Sequence, residues 1–135
     1  MSKNFWKFPT ILLSLAFLVP PVYGFKDEDL EKLHRTNECI RCDLSGADLR
    51  SANLSRANLR SSNLSGANLR GATLDEVNLS LADLSEAELV GANLRRANLH
   101  KAKLTTSDLS AADLTASDFR EVDLNGANLR GADSR

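Results

Sequence analysis

From Leu44 to Leu129 a leucine recurs at every fifth position, replaced once by Phe119, and a small residue, most often alanine, stands two places before it. A period of five excludes both standard elements. On an α-helix a step of five turns the side chain through roughly 140°, so the leucines would scatter round the axis. On a straight strand an odd step sends alternate leucines to opposite faces. The small residue and its leucine are two apart, as in Ala47 and Leu49 or Ala97 and Leu99, so a short extended segment points both the same way. The three-residue step from a leucine to the next small residue must then turn a corner. The repeat predicts a closed polygon whose sides pair with the sides above at about 4.8 Å, with large and small residues alternating inside a narrow barrel.

The corner falls at the two residues after each leucine. Glycine stands second there in Ser45-Gly46, Ser65-Gly66, Arg70-Gly71, Val90-Gly91, Asn125-Gly126 and Arg130-Gly131, where a positive φ would favour it. The residue before the leucine is typically Asp or Asn, as at Asp48, Asn53, Asn58, Asn68, Asn93 and Asn98. It must point outward, where its short side chain can stack with its neighbours and bond nearby backbone.

The units GADLR, SANLS, RANLR, GANLR and AADLT resemble the pentapeptide repeat family, whose pattern is A-(D/N)-L-x-x. The resemblance runs from Cys42 to the C-terminus. It implies an all-β right-handed quadrilateral β-helix with four repeats per coil, about four to five coils in all, on the order of 20 Å long at ladder spacing. Leucine-rich repeats would need L-x-x-L-x-L spacing, and a hexapeptide β-helix a period of six; neither occurs. With four sides, residues 20 apart stack, and the columns Arg56, Glu76, Arg96 and Asp83, Lys103, Asp123 alternate in sign. Asp75 under Arg95 and Lys101 under Glu121 would be further favourable neighbours.

Three segments are expected: a signal peptide at residues 1–24, a cap at 25–41 and the repeat rod at 42–135. Lys3 and Lys7 precede an apolar run from Ile11 to Val19, and Val22-Tyr23-Gly24 suits a cut. The run is short for a membrane span of about 30 Å. Asp27, Glu28 and Asp29 ahead of Leu30 and Leu33 predict a short helix that covers the first coil. Cys39 and Cys42 fall at inward positions, and in an exported chain a disulfide is the leading reading. Redox or haem chemistry lacks its setting, and zinc would need two more ligands with only His34 near in sequence. No metal or cofactor is expected.

The function classes narrow accordingly. His34 and His100 are the only histidines and no catalytic motif occurs, so the chain is not expected to be an enzyme. Loss of Lys3 and Lys7 with the signal leaves 15 basic against 18 acidic residues and only Phe25 and Phe119 as aromatics, which is no nucleic-acid footprint. The expected role is a non-enzymatic exported structural or protein-protein interaction module with an unknown protein partner, and no membrane contact once the signal is removed. Its candidate surface residues are Arg50, Arg56, Arg60, Arg70, Leu81 and Val90. The sequence stops inside a repeat, with Ser134 where a leucine belongs, so a weak homodimer through the C-terminal end is also expected. Mimicry of DNA toward topoisomerases, a property the resemblance implies for some members, is disfavoured by the mixed charge and the export signal. An ice-binding array would have to rest on the single hydroxyl column Ser45, Ser65, Ser85 and Thr105. The compartment is expected to be periplasm or extracellular space, or the thylakoid lumen.

Overall fold

A computed structural model describes residues 24–135. The export signal expected at residues 1–24 lies, apart from Gly24, outside the described residues. Helix α1 (Asp27–Thr36) opens the described chain. From Glu38 onward the backbone winds in coils of 20 residues, each side joined to the side above by a parallel bridge, from Glu38 with Asn58 and Asp43 with Asn63 to Asp113 with Asp133. The ladder thus begins at Glu38, a few residues before the expected boundary at Cys42, because Cys39 already occupies a leucine position. The sides are single bridges, not strands. Two of every five residues turn the corner, and only the residue before each leucine is left at the middle of a side.

Three hydrogen bonds tie each side to the next coil. At the first full side Leu44 N–H donates to Asn63 C=O (2.8 Å), Gly46 N–H to Ser65 C=O (2.8 Å) and Asn63 N–H to Cys42 C=O (2.9 Å). The corner itself is closed within the repeat, by Ala47 N–H donating to Leu44 C=O at 3.1 Å. With φ positive at the second central residue this is the pattern of a type II turn. Glycine takes that place at Gly46 (φ 68°) and five further corners, but Arg56, Glu76, Leu81 and Lys101 hold it too, at φ between 56° and 61°. The expected association of corner and glycine is therefore partial: ladder and core impose the turn whether or not the residue favours it.

The Asp or Asn before each leucine bonds mainly to its own corner. Asp43 Oδ1 accepts from Ser45 N–H at 3.1 Å, Asn63 Oδ1 from Ser65 N–H at 3.0 Å and Asp113 Oδ1 from Thr115 N–H at 3.0 Å. These are Asx turns, which supply a partner for the one corner N–H that the ladder does not use. Cross-coil stacking occurs as well, with Asn128 Nδ2 donating to Asp108 Oδ1 at 3.1 Å.

Inside, the leucines from Leu44 to Leu114 are buried, with Ala47, Ala52, Ala57 and their equivalents between them. Ser62 and Ser107 replace alanine without leaving a hydroxyl unsatisfied, since Ser62 donates to Cys39 C=O and Ser107 to Leu104 C=O. Helix α1 closes one end through buried Leu30 and Leu33. It is pinned where Lys26 N–H donates to Asp43 C=O (3.1 Å) and Asp29 Oδ2 accepts from Asp43 N–H (2.8 Å). At the other end Phe119, Val122, Leu124 and Ala127 are only partly buried and Leu129 is exposed. Leu74→Ala, in the middle of the stack, is expected to cost about 2–5 kcal/mol and Leu124→Ala less than half of that. Urea unfolding of both variants followed by circular dichroism checks the ratio.

Candidate interaction surface

The bridged ladder sorts every outward residue onto one of four corners. Corner one holds the pairs after Leu44, Leu64, Leu84, Leu104 and Leu124; corner two those after Leu49, Leu69, Leu89, Leu109 and Leu129. Corner three holds the pairs after Leu54, Leu74, Leu94 and Leu114, and corner four those after Cys39, Leu59, Leu79, Leu99 and Phe119. The surface residues named from the sequence do not form one patch. Arg50, Arg70 and Val90 lie on corner two, Arg56 on corner three, and Arg60 and Leu81 on corner four. Leu81 is 47% exposed, whereas Val90 is half-buried.

Most arginines on corners two and three are held by acidic neighbours. Arg50 folds back on Asp48 (2.6 Å) and Arg70 reaches Glu88 (3.8 Å). The expected column Arg56, Glu76, Arg96 is formed, at 3.3 and 3.5 Å, as are Lys103 with Asp83 (4.0 Å) and Lys101 with Glu121 (3.5 Å). Arg95 instead pairs with Asp113 (3.3 Å), and Asp75 with Arg96 (4.0 Å). The side chains reach diagonally across a corner, so the vertical pairing of Asp75 with Arg95 does not occur.

The acidic groups respond as their partners dictate. The Arg50 guanidinium, hydrogen-bonded to Asp48, holds that carboxyl below its usual range, and Arg120 does the same to Asp118. Hydrogen bonding to Arg135 lowers Asp133 to about 2. These residues are surface carboxylates in structural pairs, and their lowered values trace to those pairs without marking a reactive centre.

Corner one carries the hydroxyl column, but its hydroxyls are turned inward on the chain. Ser45, Ser65 and Ser85 each donate to the Asp or Asn of their own repeat, at 2.7, 2.7 and 2.6 Å, and Thr105 donates to Ser85 Oγ at 2.9 Å. Their hydroxyl hydrogens are bonded within the chain, and a single column is not the plane that an ice-binding surface would need.

Cys39 and Cys42 are both buried beneath α1, with Cα atoms 5.3 Å apart and sulfurs at bonding distance. The fold adds a neighbour that sequence spacing does not show: the Asp29 carboxylate lies within 4.8 Å of both sulfurs. It comes from α1, ten residues before Cys39. As a metal centre the trio is poor, since one Asp29 oxygen already serves Asp43 N–H and sulfurs at bonding distance of each other are not thiolate donors. On corner four, Nδ1 of His100 is buried without a hydrogen-bond partner. No helix among the described residues is long and apolar enough to cross a membrane.

Comparison with known proteins agrees with this geometry. The family model described as pentapeptide repeats matches residues 38–75, 62–100, 72–110 and 107–133. Among solved structures, the chain is similar to the pentapeptide repeat protein Rfr23 of the cyanobacterium Cyanothece 51142, at 33% identity over 80% of this chain and 94% of that one, with a TM-score of 0.67. A pentapeptide repeat protein of the Arabidopsis thaliana thylakoid lumen is 37% identical over 63% of this chain and 59% of its own, with a TM-score of 0.61. HetL of Nostoc, involved in regulating heterocyst differentiation, is 32% identical over 71% of this chain and 52% of its own, with a TM-score of 0.56. No curated protein matches significantly. Such proteins form right-handed quadrilateral β-helices.

Leu81 is the least expected corner residue. It holds φ at 61° with its side chain in solvent, where a left-handed backbone suits glycine or asparagine and costs a leucine about 1–2 kcal/mol. Leu81→Asn is therefore expected to stabilise the rod by about 0.5–1 kcal/mol, read as a raised urea midpoint at unchanged slope.

Proposed function

Because the chain belongs to the pentapeptide repeat family, whose members are in general non-enzymatic structural and interaction modules, we propose that it is an exported rigid rod that presents its corners to a protein partner. One observation carries this reading. The inward residues and the Asp or Asn of each repeat are committed to core and corner, so the variable corner side chains are held on a fixed lattice with a vertical spacing of about 4.8 Å. A surface prepared in this way binds with little ordering cost, since the backbone that carries it is already fixed. The positive run before Ile11 supports export, and the similarity to a thylakoid-lumen protein supports the lumen beside the periplasm or extracellular space. DNA mimicry is the weaker reading, because Arg56, Arg95, Arg96 and Lys101 interrupt any continuous acidic strip.

A second contact is supported by the last described coil. Phe119, Leu124 and Leu129 are incompletely covered there, and the N–H groups of Phe119, Glu121, Leu124 and Gly126 have no bonds of the kind their counterparts one coil earlier make to the next coil. Two copies meeting at this edge would form a weak homodimer. Photo-crosslinking from single corner positions in exporting cells is expected to give adducts with another protein from one corner only, and self-adducts from the last coil. Adducts spread evenly over all corners would count against a specific partner, and absence of self-adducts would remove the dimer.

For Cys39 and Cys42 the reading is a disulfide formed after export, which stiffens the junction of cap and rod while adding little by loop entropy, as the loop is short. Alkylation of the denatured protein, isolated from the exported fraction, is expected to label neither cysteine until a reductant is added. Labelling without reductant would sink both the disulfide and this argument for an oxidising compartment.

A further inference from the structure

Corner four combines two features that nothing in the fold requires. Of the three exposed large apolar side chains among the described residues, Ile40 (42%) and Leu81 (47%) both lie on it. It also carries exposed Arg41 and Arg60, together with Lys101 and Arg120, which are paired with Glu121 and Asp118. Arg41 and Arg60 form no ion pair among the described residues, whereas Arg56, Arg95 and Arg96 on corner three all do. Corner one has no cation at all, and corner two has no exposed leucine or isoleucine in its turn. The side that leads into corner four presents uncharged Asn58, Asn78 and Asn98 at its middle levels.

Leu81 is also costly where it stands. Leu81 holds a left-handed backbone that asparagine would hold with less strain, and its side chain contributes nothing to the core. The corner imposes that backbone on whatever residue stands there, so what points to contact outside the chain is the choice of a large apolar side chain at an exposed place.

We propose that corner four is the docking edge for an acidic segment of the partner protein, bound extended along the rod axis with apolar side chains on Ile40 and Leu81. This rests on the reading of the rod as an interaction module. Ile40 and Leu81 are two coils apart, about 10 Å along the axis at ladder spacing. Residues three apart on a polyproline-II segment lie about 9.3 Å apart on one face, so a chain in that conformation brings two apolar side chains onto the two sites. A carboxylate between them faces Arg60, one coil above Ile40, and another faces Arg41 beside Ile40, whereas Lys101, one coil past Leu81, is already shared with Glu121. The arginines supply selectivity and salt dependence, and the leucine and isoleucine fix the register.

The test uses the purified protein and a fluorescein-labelled peptide, Glu-Leu-Asp-Glu-Leu-Glu, followed by fluorescence anisotropy. Binding is expected to weaken about tenfold or more in the double variant Arg41→Glu with Arg60→Glu, and about threefold or more in Leu81→Asn. It is expected to change less than about twofold when corner-three Arg56 and Arg96 are both replaced by glutamate, and to weaken as salt rises. Leu81→Asn separates docking from folding, because it is expected to raise stability while lowering affinity. No binding, or equal loss from the corner-three variant, overturns the assignment of corner four. Displacement of the peptide by phosphatidylglycerol vesicles or by duplex DNA at lower charge concentration than by an unlabelled copy would overturn the acidic-peptide identity. Cellular crosslinks to a partner from another corner would leave the module reading intact and overturn this surface alone, whereas absence of any partner crosslink would overturn both.

Discussion

Leucine stacked on leucine along a narrow axis is the contact on which every other feature of this rod depends. Each buried leucine is worth roughly 1.5–3 kcal/mol against exposure, and it reaches that environment only if the chain turns a corner after it. The turn in turn requires a positive φ at one residue in five. Arg56, Glu76 and Leu81 accept that conformation, although side chains other than glycine and asparagine resist it, because the core and three ladder bonds per side outweigh the local strain. The Asp or Asn before each leucine completes the turn by accepting the remaining corner N–H, which is the physical reason those two residues recur.

This division leaves few residues for recognition. Inward positions are committed to packing, the middle of most sides to the Asx turn, and most cations of corners two and three to ion pairs. Arg50 with Asp48 and Arg120 with Asp118 are pairs inside one repeat, so an arginine counted from the sequence as available charge is largely neutralised locally. Corner four differs because Arg41 and Arg60 retain their charge beside two exposed apolar groups. On the proposed reading, the corner left unsatisfied is the one that selects the partner.

Much of this was legible in the chain. The closed polygon, the place of the corner, the inward cysteines and the Arg56, Glu76, Arg96 column all follow from counting by five and by twenty, and the capping helix from the acidic start and helical spacing of Leu30 and Leu33. The spread of Arg50, Arg56, Arg60 and Arg70 over three corners follows from the same count, but their closeness in sequence hides it. Other features could not be counted. Arg95 chose Asp113 because a guanidinium is long enough to reach diagonally. The serine hydroxyls of corner one turned to Asp43, Asn63 and Asp83, since a carboxylate or amide oxygen in the same repeat is the nearest acceptor.

By itself the sequence determined the period, and with it the interior: a five-residue beat admits only a wall that turns once per repeat, and leucine with a small residue, most often alanine, fills the space that such a wall encloses. The tertiary structure decided what lies outside. It placed Asp29 of the cap beside Cys39 and Cys42, and it left Arg41 and Arg60 without an ion pair while Arg95 reached Asp113 and Arg96 reached Asp75. The interior obeys a local rule that repeats along the chain. The surface depends on how far each side chain reaches across the stacked coils and which partner it finds there, and only the wound rod settles that.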